Sequence, residues 1–386
     1  MATVLNERRN PAPAQASDES VEGGYAPGRM TPMRNTWFAI AHAKQVGKKP
    51  LQRMLFDTPI VLWRTQQGSI VALEDRCAHR RTPLSAGKVV ADGLQCGYHG
   101  WTFNGEGTCV RIPSLGPCAA MPDRFAVQTY PTQIRYGYVW LWWGDTAAAD
   151  PALLPDIPFI HPDAPDVYES TYMYTCSSDL LVENLIDLTH LDFVHSWLLG
   201  DPHGGAEEVT CTSTEEVLTM QRRSENRRPP LAQAALFGFP EKQDIVQTTR
   251  VYLRSNCTIG VIWYRPPGWG LAVVLPNIPE SAARTREDFS LVVTGPIWYR
   301  KMIHWMNNTI GDQDNGIITA QQPAYHELAR MSAGRPDRSV AGDKACMRYR
   351  EMRRKLLARQ QQGDFAYADG WQGSAAHELL EIKRVW

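Results

Sequence analysis

Two cysteines and two histidines constrain this chain more than any other feature. They read Cys77-Ala78-His79 and Cys96-Gly97-Tyr98-His99, with sixteen residues between His79 and Cys96. Thiolates and imidazoles in such a set hold either zinc or an iron–sulfur cluster. Zinc ligand pairs commonly leave about two to four residues between them, whereas Cys77 and His79 leave one. A [2Fe–2S] cluster with both thiolates on one iron and both imidazoles on the other takes this order better. Gly97 and Gly100 flank the second pair and let backbone N–H groups approach the sulfurs. Tyr98 and Trp101 would shield the cluster from water or simply fill the core. Such a cluster passes single electrons, so a site that spends them is expected elsewhere in the chain.

The 386 residues suggest about two domains. Residues 1–33, rich in Ala, Pro, Glu, Ser and Gly, read as a flexible tail, with order beginning near Trp37. Over 34–150 the pattern is short strands and turns. Ile60–Trp63 and Ile70–Leu73 flank Gln66-Gln67-Gly68, and Trp101–Phe103 and Cys109–Ile112 flank Asn104-Gly105, both hairpin signals. The proline-rich stretch 147–165 reads as a linker into a second domain over 151–386. There, helices are expected at 180–198, 299–331 and 342–361. Strands are expected at Val217–Met220, Asp244–Leu253, Ile259–Tyr264, Leu271–Leu275 and Phe289–Thr294. Strand runs between helices predict an α+β fold with an antiparallel sheet. Lys+Arg 40 against Asp+Glu 41 argues against nucleic-acid binding. No apolar run is long enough to span a membrane, and the N-terminus lacks the pattern of a signal peptide. A reducing, cytoplasmic setting is expected, with the remaining cysteines as thiols.

The second chemical motif is Glu183-Asn-Leu-Ile-Asp187-Leu-Thr-His190-Leu-Asp-Phe-Val-His195. Glu183, Asp187 and His190 share one helical face. His190 and His195, five apart, diverge by about 140° on an ideal helix, so both reach one metal only where the helix breaks. Two imidazoles and a carboxylate from elsewhere suit non-haem Fe(II) and O2 chemistry. One motif would supply electrons and the other would use them.

With both motifs in this order, the chain resembles the Rieske non-haem iron oxygenases, specifically their catalytic α subunits, from about Trp37 to Leu357. Within that family it looks most like the group that includes vanillate O-demethylase, dicamba demethylase, toluenesulfonate methyl-monooxygenase and phthalate dioxygenase. The resemblance implies an all-β Rieske domain followed by a helix-grip, START-like catalytic domain. It implies that Cys77 and Cys96 hold one cluster iron and His79 and His99 the other. His190 and His195 would bind the mononuclear iron. Asp314, seven residues before Gln321, would be the third ligand, with Asp312 as a rival; Gln313 stands where the family usually has Glu. Asp187 would accept a hydrogen bond from His190 and from a cluster histidine of a neighbouring subunit, which requires a ring, a homotrimer. Asn184 would sit close to the iron.

The activity so implied is O2-dependent hydroxylation or O/N-demethylation of an aromatic, carboxylated substrate. The alternatives are ring dihydroxylation to a cis-diol, a Rieske electron-transfer protein without oxygenase activity, and a zinc-stabilised binding protein. No Gly-x-Gly-x-x-Gly follows a strand, so NAD(P)H electrons would arrive through a ferredoxin or flavin reductase. The basic run Arg348–Arg359 could dock such a partner. Phe237, Phe239, Trp263, Tyr264, Trp269 and Trp298 could line the pocket. Arg222, Arg223, Arg250 or Arg254 could pair with the substrate carboxylate.

Overall fold

The computed structural model describes residues 30–116, 125–157, 159, 167–197, 199–200, 208–229, 242–266, 268–330 and 337–368. Most of the expected tail, part of the linker, Phe237 and Phe239 lie outside them. Packing starts earlier in the chain than Trp37. Met33 is 1% exposed, and the Arg34 N–H donates to Gln360 Oε1 at 2.8 Å.

Three small sheets build the N-terminal part. The first joins Thr36–His42, Tyr138–Trp143 and Thr132–Arg135. The second joins Leu51–Leu55, Thr58–Arg64, Ile70–Glu74 and Thr129–Tyr130. The third joins Lys88–Val90, Gly93–Gln95, Thr102–Phe103 and Cys109–Arg111. Both expected hairpins form. In the first, Arg64 faces Ile70 across a turn whose Gly68 has φ 91°, a conformation that favours glycine. Every residue of Tyr138–Trp143 is buried, as its unbroken apolar run requires of a strand covered on both faces.

The second part is a seven-stranded sheet, antiparallel throughout. Its order is Tyr168–Tyr174, Arg284–Val293, Trp269–Ser281, Cys257–Arg265, Gln243–Tyr252, Val217–Arg227 and Glu208–Ser213. The two edge strands were not expected from sequence. Tyr168–Tyr174 is mostly half-buried and Glu208–Ser213 is largely polar, so neither shows an apolar run. Helices Ile297–Arg330 and Lys344–Gln361 match the expected stretches, whereas the stretch expected at 180–198 is helical over Ser178–Ile186 and then breaks.

Side chains alternate across the sheet and give its faces different partners. On one face, Val217, Tyr252 and Cys257 pack with Trp37, Trp140 and Trp142 of the N-terminal part, and Tyr138 Oη lies 2.6 Å from Ser290 Oγ. Burying each such large side chain contributes about 1.5–3 kcal/mol. Phe56 and Asp57 add backbone bonds to the carbonyls of Pro279 and Glu280 at 2.8 and 2.9 Å. On the other face, Phe289, Leu291 and Val293 pack against Ile303 of the long helix Ile297–Arg330. The helix is thereby held against the sheet, with a cavity between them.

Candidate active site

The helix Ser178–Ile186 is capped by Ser177, whose Oγ accepts from the Leu180 N–H. It ends at Asp187, with φ −89° and ψ 84°. A single 3-10 turn, Leu188–His190, and a short helix, Leu191–Val194, follow. This is the break that the five-residue spacing demands. The Asp187 carboxylate caps the new turn, accepting from the Thr189 N–H at 3.0 Å and the Thr189 hydroxyl at 2.6 Å. His190 Nδ1 therefore bonds the Asp187 backbone carbonyl, not the carboxylate that the resemblance suggested. Either acceptor leaves His190 Nε2 free to face inward.

Three potential ligand atoms, one each from His190, His195 and Asp314, lie within 4.8 Å of one another. His195, 0% exposed, places Nε2 3.0 Å from Asp314 Oδ1, and His190 Nε2 lies 3.6 Å from the same oxygen. On the long helix, two residues turn the side chain by about 200°. Asp314 accordingly points inward while Asp312 bonds the Tyr172 hydroxyl. Asn184 Nδ2 reaches Asp314 Oδ1 at 3.4 Å, and the buried Oδ1 of Asn184 has no partner among the described residues. One contact was not read from sequence. Gln313, noted there only as a departure from Glu, accepts from His195 Nδ1 through Oε1 at 2.8 Å.

The electrostatics of the two imidazoles differ. Burial holds His190 below its ordinary value despite the Asp314 charge. Burial also pulls His195 down, but its bonds to Asp314 and Gln313 outweigh that and raise it. Two imidazoles and one carboxylate converging from one side suit a mononuclear Fe(II) with open positions. The unpartnered Asn184 oxygen beside them fits the same centre.

The cysteine–histidine loops are each tied by backbone bonds. The Cys77 N–H donates to Thr82 O at 2.9 Å, and the Cys96 N–H donates to Trp101 O at 2.8 Å. Both thiols are buried and adjoin each other. Burial first, then the Cys96 thiol, pushes Cys77 up to about 11. Thiolates here need a cation, which cluster iron would supply. The rings of His79 and His99 lie 4.6 Å apart, and the buried His79 Nδ1 has no protein partner. Thiols adjoining on one side and imidazoles on the other suit a histidine-ligated [2Fe–2S] cluster. Trp101 stacks flat on His79 at 4.7 Å, and Tyr98, although 65% exposed, lies with its ring 3.8 Å from that of His99.

The iron triad borders a cavity of about 160 Å³. An apolar cavity of about 150 Å³ admits one benzene ring, so the site suits a single-ring substrate. One wall is the sheet, through residues such as Leu271, Val273, Phe289 and Leu291. The other is one face of the long helix, through Ile303, Met306, Ile310 and Asp314. Among the aromatics expected in this wall, Trp263, Tyr264, Trp269 and Trp298 are not lining residues; Tyr172, Tyr174 and Phe289 take that place.

None of the four candidate arginines lines the cavity. Arg222 bonds Asp192 and the Leu188 carbonyl, Arg250 bonds Thr219, Arg254 bonds Glu216, and Arg223 is exposed beside Gln221. Each was free to bind a carboxylate on sequence grounds; long-range partners hold Arg222, Arg250 and Arg254, whereas Arg223 stays exposed with a local bond to Gln221. The basic helix is similarly committed: Arg350 pairs with Glu183 and Asp337, and Arg353 with Asp179.

Known proteins share both halves of this arrangement. Residues 36–131 match the Rieske [2Fe-2S] domain family, and residues 174–359 match the Vanillate O-demethylase oxygenase C-terminal domain family. A putative toluene-4-sulfonate monooxygenase system iron-sulfur subunit of Comamonas testosteroni is 41% identical over 44% of this chain and 48% of its own length. The oxygenase component of dicamba O-demethylase of Stenotrophomonas maltophilia is 40% identical over 43% of this chain and 48% of its own length. The chain thus spans about half the length of these curated relatives. Among solved structures, dicamba monooxygenase bound to 3,6-dichlorosalicylic acid superposes with a TM-score of 0.78. It is 26% identical and covers 86% of this chain and 99% of its own.

Proposed function

The chain belongs to the Rieske non-haem iron oxygenases, and we propose that it is the terminal oxygenase of a multicomponent system acting on a single-ring aromatic substrate. It would take NAD(P)H-derived electrons from a ferredoxin or flavin reductase and use O2 to demethylate or hydroxylate that ring. The observation that carries this reading is the His190–His195–Asp314 triad bordering a ring-sized apolar cavity, in one chain with the paired Cys/His loops. The mononuclear iron supplies O2 activation when bound. For a methyl ether the balance is ArOCH3 + O2 + 2 e− + 2 H+ giving ArOH, CH2O and H2O, through a hydroxymethyl ether that collapses to the phenol.

The residues divide the work as follows. His190, His195 and Asp314 would hold the iron; Cys77 and Cys96, with His79 and His99, would hold the cluster. Apolar walls exclude water and press the ring towards the triad. Asn184, with its unpartnered oxygen, would orient whatever occupies the open side of the iron. Asp187 lies half-buried beside an outer cavity that His190 also lines. That position suits a bridge to the cluster histidine of a second subunit, in a homotrimer, with electrons crossing between chains. A reducing, cytoplasmic setting belongs to the same reading. It is supported by seven described cysteines without a disulfide and by the lack, among described residues, of a helix long and apolar enough to cross a membrane.

The test is metal and sulfide analysis of the purified protein and of His190→Ala. One mononuclear iron per chain beyond the cluster, lost in the variant while the cluster spectrum stays, supports an oxygenase. Unchanged iron content in the variant would leave an electron-transfer protein, and zinc without labile sulfide would sink both. Formaldehyde release during turnover with a methoxy- or N-methylarene marks demethylation, and a cis-diol marks ring dihydroxylation.

A further inference from the structure

Besides the ligand Asp314, the described lining of the cavity contains one carboxyl group. Glu287 is 3% exposed and sits on Arg284–Val293, sharing the cavity-facing side of that strand with Phe289 and Leu291. Tyr174, on the neighbouring edge strand and also in the wall, shares a side-chain hydrogen bond with it. The buried Oε1 of Glu287 has no partner among the described residues. An acceptor removed from water and given no donor is costly to keep. Nothing in the iron site or the sheet ladder uses this oxygen.

The cavity is also short of cations. No lysine or arginine is among its described lining residues. Arg222 and Arg227, with the exposed Arg228, line a separate small pocket beyond Leu199 and Gln247, where Asp192 holds the first two. The segments 201–207 and 230–241, outside the described residues, contain neither lysine nor arginine. An aryl carboxylate entering here would be repelled by Glu287 once that carboxyl is ionised, with no lysine or arginine among the described lining residues to offset the repulsion.

We propose that Glu287 is the substrate-recognition group of this site, its Oε1 accepting from an N–H or O–H donor on the ring. The substrate class is then a neutral or cationic phenol or arylamine that bears the methyl group, not an aryl carboxylate or sulfonate. This deepens the oxygenase reading and rests on it. Such a substrate differs from the carboxylated one that the resemblance implied; of the arginines offered for that carboxylate, Arg222, Arg250 and Arg254 are held by other partners.

The holoenzyme is tested by equilibrium binding, read from the change that a ligand causes in the EPR spectrum of the nitric oxide adduct of the ferrous site. Three probes of one size serve: 2-methoxyphenol, N-methylaniline and 2-methoxybenzoate. The expected result, above about pH 8 where the Glu287 carboxyl is ionised, is that a donor probe binds at least about tenfold tighter than the benzoate, the worth of a hydrogen bond to a charged group. The phenol and amine arms separate O–H from N–H recognition, and tight binding of either supports the proposal. Glu287→Gln, which fills the same space and can itself donate, should narrow that preference at least about tenfold. Equal or tighter binding of the benzoate to the wild type would overturn the proposal, as would an unchanged preference in Glu287→Gln. Absence of the ferrous nitric oxide signal itself would instead overturn the oxygenase reading, so the two failures are distinguishable.

Discussion

Gln313 and His195 are joined by a 2.8 Å hydrogen bond from the ring Nδ1 to the amide Oε1, while the other ring nitrogen faces Asp314 at 3.0 Å. An amide oxygen only accepts, so Nδ1 carries the proton and Nε2 keeps its lone pair for a metal. Asp314 and Gln313 are adjacent on the long helix, so one element delivers both the ligand and the orienting partner. Such partners commonly support metal affinity by about 10–100-fold. Gln313→Leu should therefore weaken mononuclear iron binding in that range while the cluster spectrum stays intact. Gln313→Glu, which keeps an acceptor in place, should restore it. Chelator competition measures both, and iron affinity unchanged in the leucine variant would remove Gln313 from the site.

The iron-ligand segment is also held from behind. Asp192, between the two histidines, pairs with Arg222 and with Arg227 at 3.3 Å, and both guanidiniums are buried. Removing one member of a buried pair strands the remaining charge and costs about 3–5 kcal/mol. Asp192→Ala should lower thermal stability accordingly and release iron as the segment loosens. Asp192→Ala combined with Arg222→Met should recover part of the loss, because one of the two stranded charges is gone. A double variant as unstable as the single one would show that the ion pair is not what holds the segment.

Much of this site was legible in local sequence because its logic is local. The break at Asp187 follows from the angle between His190 and His195, and the seven-residue spacing to Gln321 that the resemblance implies picks Asp314 over Asp312. The hairpins announced themselves through turn residues. What escaped depends on long-range register. Glu287 lies in Arg284-Thr-Arg-Glu-Asp, a charged run that reads as solvated surface, yet pairing with Tyr168–Tyr174 and Trp269–Ser281 buries it in the cavity wall. Arg222 and Arg254 read as free cations because their partners Asp192 and Glu216 lie 30 and 38 residues away. The edge strands lacked the apolar alternation that marks a strand, since pairing with a neighbour orders them more than burial does.

Gly311 sets the spacing between the long helix and the sheet edge. A Cβ there would meet ring carbons of Tyr172 at 2.9 and 3.0 Å, and both residues line the cavity. Alanine improves helix propensity by about 1 kcal/mol, and overpacking costs about 1–3 kcal/mol. Because the Tyr172 hydroxyl is bonded to Asp312 on the same helix, the ring cannot simply swing away. Gly311→Ala should thus change stability little, by about 1 kcal/mol, but push the ring into the cavity. The expected kinetic result is a raised KM with a smaller change in kcat. A fall in kcat alone would place the effect on the iron instead.

Glu287 also gives the fold a pH dependence of defined sign. Burial foremost, then the Asp314 charge from the helix and Asp288 beside it on the strand, pushes Glu287 up to about 8, and the Tyr174 bond opposes this only in part. His190 and His195 line the same cavity. The folded-state value lies above the ordinary 4.5, so between the two the folded chain keeps a proton that the unfolded chain has lost. Stability contributed by the protonated carboxyl is full below about 4.5 and is lost as pH rises towards 8. The loss is at most ~1.4 kcal/mol per pH unit. Glu287→Gln carries no such proton. In protein stripped of its mononuclear iron, where no metal charge offsets Asp314, the Tm of Glu287→Gln should gain on wild type from pH 5.5 to 8. Thermal scans across that window measure the gap. A gap that stays constant would mean that Glu287 is ionised throughout, with a donor supplied to its free oxygen even without substrate.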